Sequence, residues 1–153
     1  MDIDQVFEKF ETITQKDLKL NFKKFFLESS LSPKDAGLIT LACAETVNCK
    51  PLKELATAHL KAQGATDDEI SEARDAAAIM SLNNMFYRFR HFAHKDAYQK
   101  PAGLRMNVLA RPVTGKASFE MMALAVSILN GCEACVKSHE QSVLNHGVTE
   151  DQV

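Results

Sequence analysis

At 153 residues, with 46% hydrophobic and 25% charged positions, the chain has the material to bury one core without metal or disulfide staples. A formal net charge of −2 gives no footprint for nucleic acid or for an anionic membrane. No apolar stretch approaches the roughly 20 residues that span a bilayer, and Met1-Asp2-Ile3-Asp4 is acidic rather than a secretory leader. A reducing cytoplasmic setting is therefore expected, where a Cys-x-x-Cys more often means catalysis or metal than a structural disulfide.

Helix is predicted almost throughout, because period-2 alternation is absent and the chain has only six glycines and four prolines. Ser32-Pro33-Lys34-Asp35 reads as a helix start, with serine as N-cap and proline at the first helical position. Gly64 marks a helix end, and Thr66-Asp67-Asp68-Glu69 is a capping box opening the next helix. That helix runs into Asn83-Asn84-Met85-Phe86-Tyr87-Arg88-Phe89-Arg90-His91-Phe92, whose aromatics cannot all face one core. Burial against both core and a partner subunit is expected there, or Asn84, Tyr87 or Arg88 reaching the mouth of a site. From about Lys95 to Lys116, Pro101, Gly103, Pro112 and Gly115 predict an irregular connection or a pair of short helices. Two further helices are expected, from about Ser118 to Leu129 and from about Cys132 to Asn145, separated by Asn130-Gly131. Gly147 closes the last one.

The chain also carries a degenerate repeat at an offset of 83 residues, the distance from Cys49 to Cys132. Gly64-Ala65-Thr66-Asp67-Asp68-Glu69-Ile70 matches Gly147-Val148-Thr149-Glu150-Asp151-Gln152-Val153, and Leu41-Ala42 matches Leu124-Ala125. The repeat units fall at about 31–92 and 114–153 within a single domain, 1–153. Because the second unit stops just inside its cap, a further stretch of roughly twenty C-terminal residues is expected to complete it.

The chemistry concentrates in Cys132-Glu133-Ala134-Cys135-Val136-Lys137-Ser138-His139 with Glu120 upstream. Cys132, Cys135 and His139 stand at i, i+3 and i+7, one face of a helix. In an antiparallel hairpin centred on Asn130-Gly131, Glu120 lies about ten positions before the turn and His139 about nine after, so carboxylate and imidazole can meet. The helix N-terminus and the imidazole both favour a thiolate, which a hydroperoxide converts to a sulfenic acid that the second thiol condenses into a disulfide. Glu120 would orient His139 as base. Which thiol attacks stays open: Cys132 is nearer the helix N-terminus, Cys135 is four residues from His139. In the first copy Leu52 and Ala56 replace the second thiol and the histidine, and Gly37 stands opposite Glu120, so only the second copy is armed. The alternatives are half of a zinc site, with Cys43 and Cys49 adding ligands, or merely packed cysteines. Cys43 and Cys49 are expected to be structural thiols, and His59, His91, His94 and His146 exposed histidines.

Glu120, Cys132-x-x-Cys135-x-x-x-His139 after Asn130-Gly131, Ala78 through Arg88, Gly103-Leu104-Arg105-Met106-Asn107 and Lys116 through Glu120 together resemble the alkylhydroperoxidase AhpD family, within the carboxymuconolactone decarboxylase-like superfamily. The resemblance implies an all-α AhpD-like domain forming a homotrimer, and a thiol peroxidase of antioxidant defence acting on small hydroperoxides. It further implies a redox disulfide between Cys132 and Cys135, with Cys135 peroxidatic and Cys132 its proton donor and resolving thiol. No bound cofactor or metal is implied; an external dihydrolipoyl dithiol on a lipoylated dehydrogenase component would reduce the disulfide, and an AhpC-type peroxiredoxin would be a partner. Some family members carry histidine between the thiols, where this chain has Ala134, so Glu120 and His139 must suffice. A decarboxylase acting on a lactone and a non-enzymatic redox or zinc module are the competing classes.

Overall fold

The computed structural model describes residues 2–9 and 11–153. Among these residues the secondary structure is entirely helical: α1 (Ile3–Val6), α2 (Ile13–Leu27), α3 (Pro33–Thr46), α4 (Lys50–Ala62), α5 (Asp67–Ala93), a 3-10 turn (Asp96–Tyr98), α6 (Asn107–Ala110), α7 (Lys116–Leu129) and α8 (Glu133–Asn145). The caps act as their sequences dictate. Ser32 Oγ accepts from Asp35 N–H at 3.0 Å, with Pro33 opening α3. Thr66 and Glu69 exchange hydrogen bonds of 3.2 and 2.8 Å to start α5. Asp2 with Gln5 and Thr12 with Gln15 form the same reciprocal box at α1 and α2, using glutamine in place of glutamate.

The internal repeat is carried by the backbone itself. The first and last residues of α3 and α7, and of α4 and α8, are offset by the 83 residues that also separate Asp35 from Ser118. The turns agree bond for bond. Asn48 (φ 52°) and Gly131 (φ 64°) occupy the left-handed region, and the following Cys49 and Cys132 donate their N–H to Ala44 O (2.8 Å) and Ser127 O (3.1 Å). After the second helix of each pair, Ala65 and Val148 donate to Leu60 O and Val143 O in the same six-residue closure. Ser118 Oγ donates to Asp35 Oδ1 at 2.6 Å, a contact between equivalent positions that joins the N-terminal ends of α3 and α7.

The core forms where the two hairpins meet along α5. Leu38 and Leu41 of α3, Leu60 of α4, Met80 of α5, and Phe119, Met122 and Val126 of α7 are all essentially inaccessible. A separate cluster of Ile3, Phe7, Phe26 and Leu55 seats the N-terminal helices on α4. The connection 95–115 is irregular with two short helical turns, as its prolines and glycines require. Glu72 of α5 anchors its far end, accepting from the N–H groups of Val113 (2.6 Å) and Thr114 (2.7 Å). No helix among the described residues is long and apolar enough to cross a membrane.

Candidate active site

Cys132 is the N-cap of α8 and Cys135 lies in its first turn; the two sulfurs are bonded, with Cα atoms 5.3 Å apart. The turn that delivers them is fixed from α5. Asn84 Nδ2 donates to Ser127 Oγ and Asn130 Nδ2 to Asn84 Oδ1, each at 3.0 Å, while Arg88 Nη1 donates to the Asn130 carbonyl. Asn84 is fully buried, so of the three residues expected near the site mouth it is instead a buttress beneath the turn. Arg88 also serves the turn. Tyr87 does reach the site.

His139 sits on the face of α8 predicted from spacing, and its Nδ1 lies 2.6 Å from Glu120 Oε2 across the hairpin. Glu120 is buried, which pushes its carboxyl up, but hydrogen bonds from His139 and Lys116 outweigh burial and hold it down at about 2. An ionised carboxylate only accepts, so Nδ1 carries a proton and the neutral ring keeps its lone pair on Nε2. This tautomer is the one a general base needs.

Lys116, which sequence reasoning passed over, completes the array. Its Nζ lies 2.8 Å from Glu120 Oε1 and donates to Leu109 O at 2.7 Å, tying the carboxylate to the α6 segment. The i,i+4 spacing of Lys116 and Glu120 was the available signal.

A cavity of about 380 Å³ opens onto this array. Met80, Asn83 and Tyr87 from α5, Met106 and Leu109 from the α6 segment, and Ala134, Cys135, Ser138 and His139 from α8 line it. Cys135 therefore faces the cavity, while Cys132, at 1% exposure, is sealed behind it. Apart from the amide of Asn83, the hydroxyls and the imidazole, the walls are apolar.

The other thiols are separate from this site. Burial pushes the Cys43 thiol up to about 11, which leaves it unreactive at neutral pH, and Cys49 occupies the N-cap position of α4. His91, His94 and His146 are exposed, as expected. His59 departs from that expectation: it is half-buried, its Nε2 lies 2.8 Å from Pro33 O and its ring packs 4.7 Å from Phe26, because α2 folds over this end of α4. Among the described residues, no group of three or more His, Cys, Asp or Glu side chains is arranged to hold a metal ion.

Comparison with known proteins agrees with this architecture. The Carboxymuconolactone decarboxylase family profile matches twice, over residues 13–94 and 95–153. A protein of Anaeromyxobacter dehalogenans named alkyl hydroperoxide reductase AhpD is 43% identical over 139 residues, covering 90% of this chain and 74% of the relative. Proteins of the same name from Maricaulis maris (43% identity, 90% of this chain and 80% of the relative) and Bradyrhizobium sp. (39%, 97% and 82%) are similar along nearly the whole chain. Two family matches in tandem on a doubled helical hairpin, with close relatives over nine-tenths of the sequence, place the chain in the carboxymuconolactone decarboxylase family, in its AhpD branch.

Proposed function

We propose that the protein is a thiol peroxidase that reduces alkyl hydroperoxides through Cys135 and Cys132. The observation that carries this reading is that Cys135 and His139 line one largely apolar cavity, with Cys132 bonded behind Cys135 and an ionised Glu120 hydrogen-bonded to His139. The names of the relatives point to the same substrate class.

In the reduced protein His139 Nε2 takes the Cys135 proton, and the thiolate attacks the distal oxygen of the hydroperoxide. The S–O bond forms as the O–O bond breaks, and the alkoxide leaves with the proton that His139 returns. The products are a Cys135 sulfenic acid and an alcohol. The Cys132 thiol then displaces water from the sulfenic acid to close the disulfide. An external dithiol reopens it by exchange and is itself oxidised to a disulfide. Exposure to the cavity supports Cys135 as the attacking thiol, and burial behind it supports Cys132 as the resolving one. The Lys116–Glu120–His139 chain keeps the base in its productive tautomer.

A dihydrolipoyl group on a dehydrogenase component is the reductant proposed from the resemblance, with an AhpC-type peroxiredoxin as partner and a homotrimer as the assembly. The exposed stripe Leu82, Met85, Phe89 and Phe92, on one face of α5, supports self-association. The experiment is steady-state consumption of tert-butyl hydroperoxide with dihydrolipoamide or thioredoxin as electron donor. Turnover with dihydrolipoamide, abolished by Cys135→Ser, is expected. Activity that survives Cys135→Ser, or none with either dithiol, would overturn the reading.

A further inference from the structure

Among the described residues, two buried side-chain atoms have no hydrogen-bond partner, Arg90 Nε and Asn83 Oδ1. Arg90 is held by its other groups: Nη2 donates to Lys100 O at 2.8 Å, and the guanidinium lies 5.3 Å from the Phe86 ring centre. Asn83 is different. The residue is 3% exposed and lines the cavity that holds Cys135 and His139. Its amide nitrogen donates to Met106 Sδ at 3.0 Å. A thioether accepts weakly and donates nothing, so turning the amide over would set oxygen against sulfur and gain no bond. The neighbouring walls, Met80, Leu109 and Ala134, carry no side-chain donor, and neither the Tyr87 nor the Ser138 hydroxyl bonds the amide oxygen. A buried acceptor without a protein donor is costly, and one that lines an enzyme cavity is placed to take a donor that arrives with the substrate.

A hydroperoxide brings one donor, the O–H on its distal oxygen, which is the atom the thiolate must attack. We infer that Asn83 Oδ1 accepts this O–H and thereby holds the distal oxygen toward Cys135 Sγ, while the apolar walls receive the alkyl group. This rests on the peroxidase reading above. The amide exchanges no proton: the distal oxygen keeps its hydrogen on passing to sulfur as the sulfenic acid, and only the alkoxide needs the proton from His139. Because the bond is to the O–H, it serves every hydroperoxide alike and cannot itself select the alkyl group.

The test is single-turnover oxidation of the pre-reduced protein by hydrogen peroxide and by tert-butyl hydroperoxide, with iodoacetamide alkylation of Cys135 against pH as a measure of thiolate reactivity that needs no O–H. Asn83→Leu keeps the branched shape and the number of heavy atoms and removes the acceptor; Asn83→Asp keeps an acceptor oxygen. We expect Asn83→Leu to slow both peroxides by the same factor, roughly tenfold for one lost hydrogen bond in a buried site, with the alkylation rate and its pH profile unchanged. Asn83→Asp, scaled by its own alkylation rate, should stay within about threefold of the parent. Equal peroxide rates for Asn83→Leu and the parent would overturn the inference. So would a loss confined to tert-butyl hydroperoxide, which is a packing effect, or alkylation falling in step with oxidation, which is an effect on the thiol. If the parent protein reacts with neither peroxide, the peroxidase reading fails first, before any variant is compared.

Discussion

Glu120 sits in a position that would ordinarily neutralise it, buried near the start of α7, and hydrogen bonds from His139 and Lys116 keep it charged. The consequence for stability has a definite sign. A carboxylate whose pKa falls from the ordinary 4.5 to about 2 on folding contributes fully above pH 4.5, and that contribution is lost as the pH drops toward 2. Between pH 6 and pH 3 the parent should lose about 2 kcal/mol through this residue alone. Glu120→Gln has no such proton to gain, so urea unfolding at the two pH values should show a smaller drop for the variant by about that amount. Equal drops would mean that the carboxylate is not held ionised by His139 and Lys116. Much of this arrangement was legible in the sequence, because counting residues outward from Asn130-Gly131 pairs Glu120 with His139. Lys116 was not weighed, since a lysine in the first turn of a helix opposes the dipole and is ordinarily a solvated surface residue. Asn83 could not be distinguished from Asn84 until the rotation of α5 was known: one lines the cavity and the other buttresses the turn.

At the level of elements, the same hairpin occurs twice and only the second carries the paired thiols, histidine and glutamate, and the packing explains why. Gly37, opposite Glu120 in the repeat, lets α4 close on α3. A Cβ there would stand 2.9 Å from Leu60 Cδ2 and 3.0 Å from His59 Cδ2. Ala56, opposite His139, is wholly buried in the space the imidazole would need. The first hairpin is a closed core unit; the second is opened by a glutamate and a histidine that satisfy each other. Gly37→Ala should therefore destabilise the protein by about 1 kcal/mol, overpacking exceeding the gain in helix propensity. Denaturant unfolding checks this, and a stabilised variant would show that Leu60 yields more readily than its full burial suggests. The helix pairs were readable from Gly, Thr and Pro punctuation and from the 83-residue offset, whose caps recur at Thr66 and Thr149. The boundaries of α1 and α2 were not, because no glycine or proline punctuates residues 1–31 and their apolar residues show no sharp helical face.

Across the whole molecule, the candidate site lies where the second hairpin meets the far half of α5, and each element brings one part. α8 presents the thiols and the imidazole, and α7 the carboxylate that fixes the imidazole. α5 and α6 supply the walls, and Lys116 clips the α6 wall to the carboxylate. The exposed face of α5 is left to other contacts. The proposed cycle turns on Cys135 being the sulfur that first meets the hydroperoxide. That is read by oxidising the reduced Cys132→Ser and Cys135→Ser proteins with one equivalent of tert-butyl hydroperoxide in the presence of dimedone, and locating the adduct by peptide mass spectrometry. A dimedone thioether on Cys135 in the Cys132→Ser protein, with none on Cys132 in the Cys135→Ser protein, is the predicted result. An adduct on Cys132, or no adduct on either cysteine, would contradict the account.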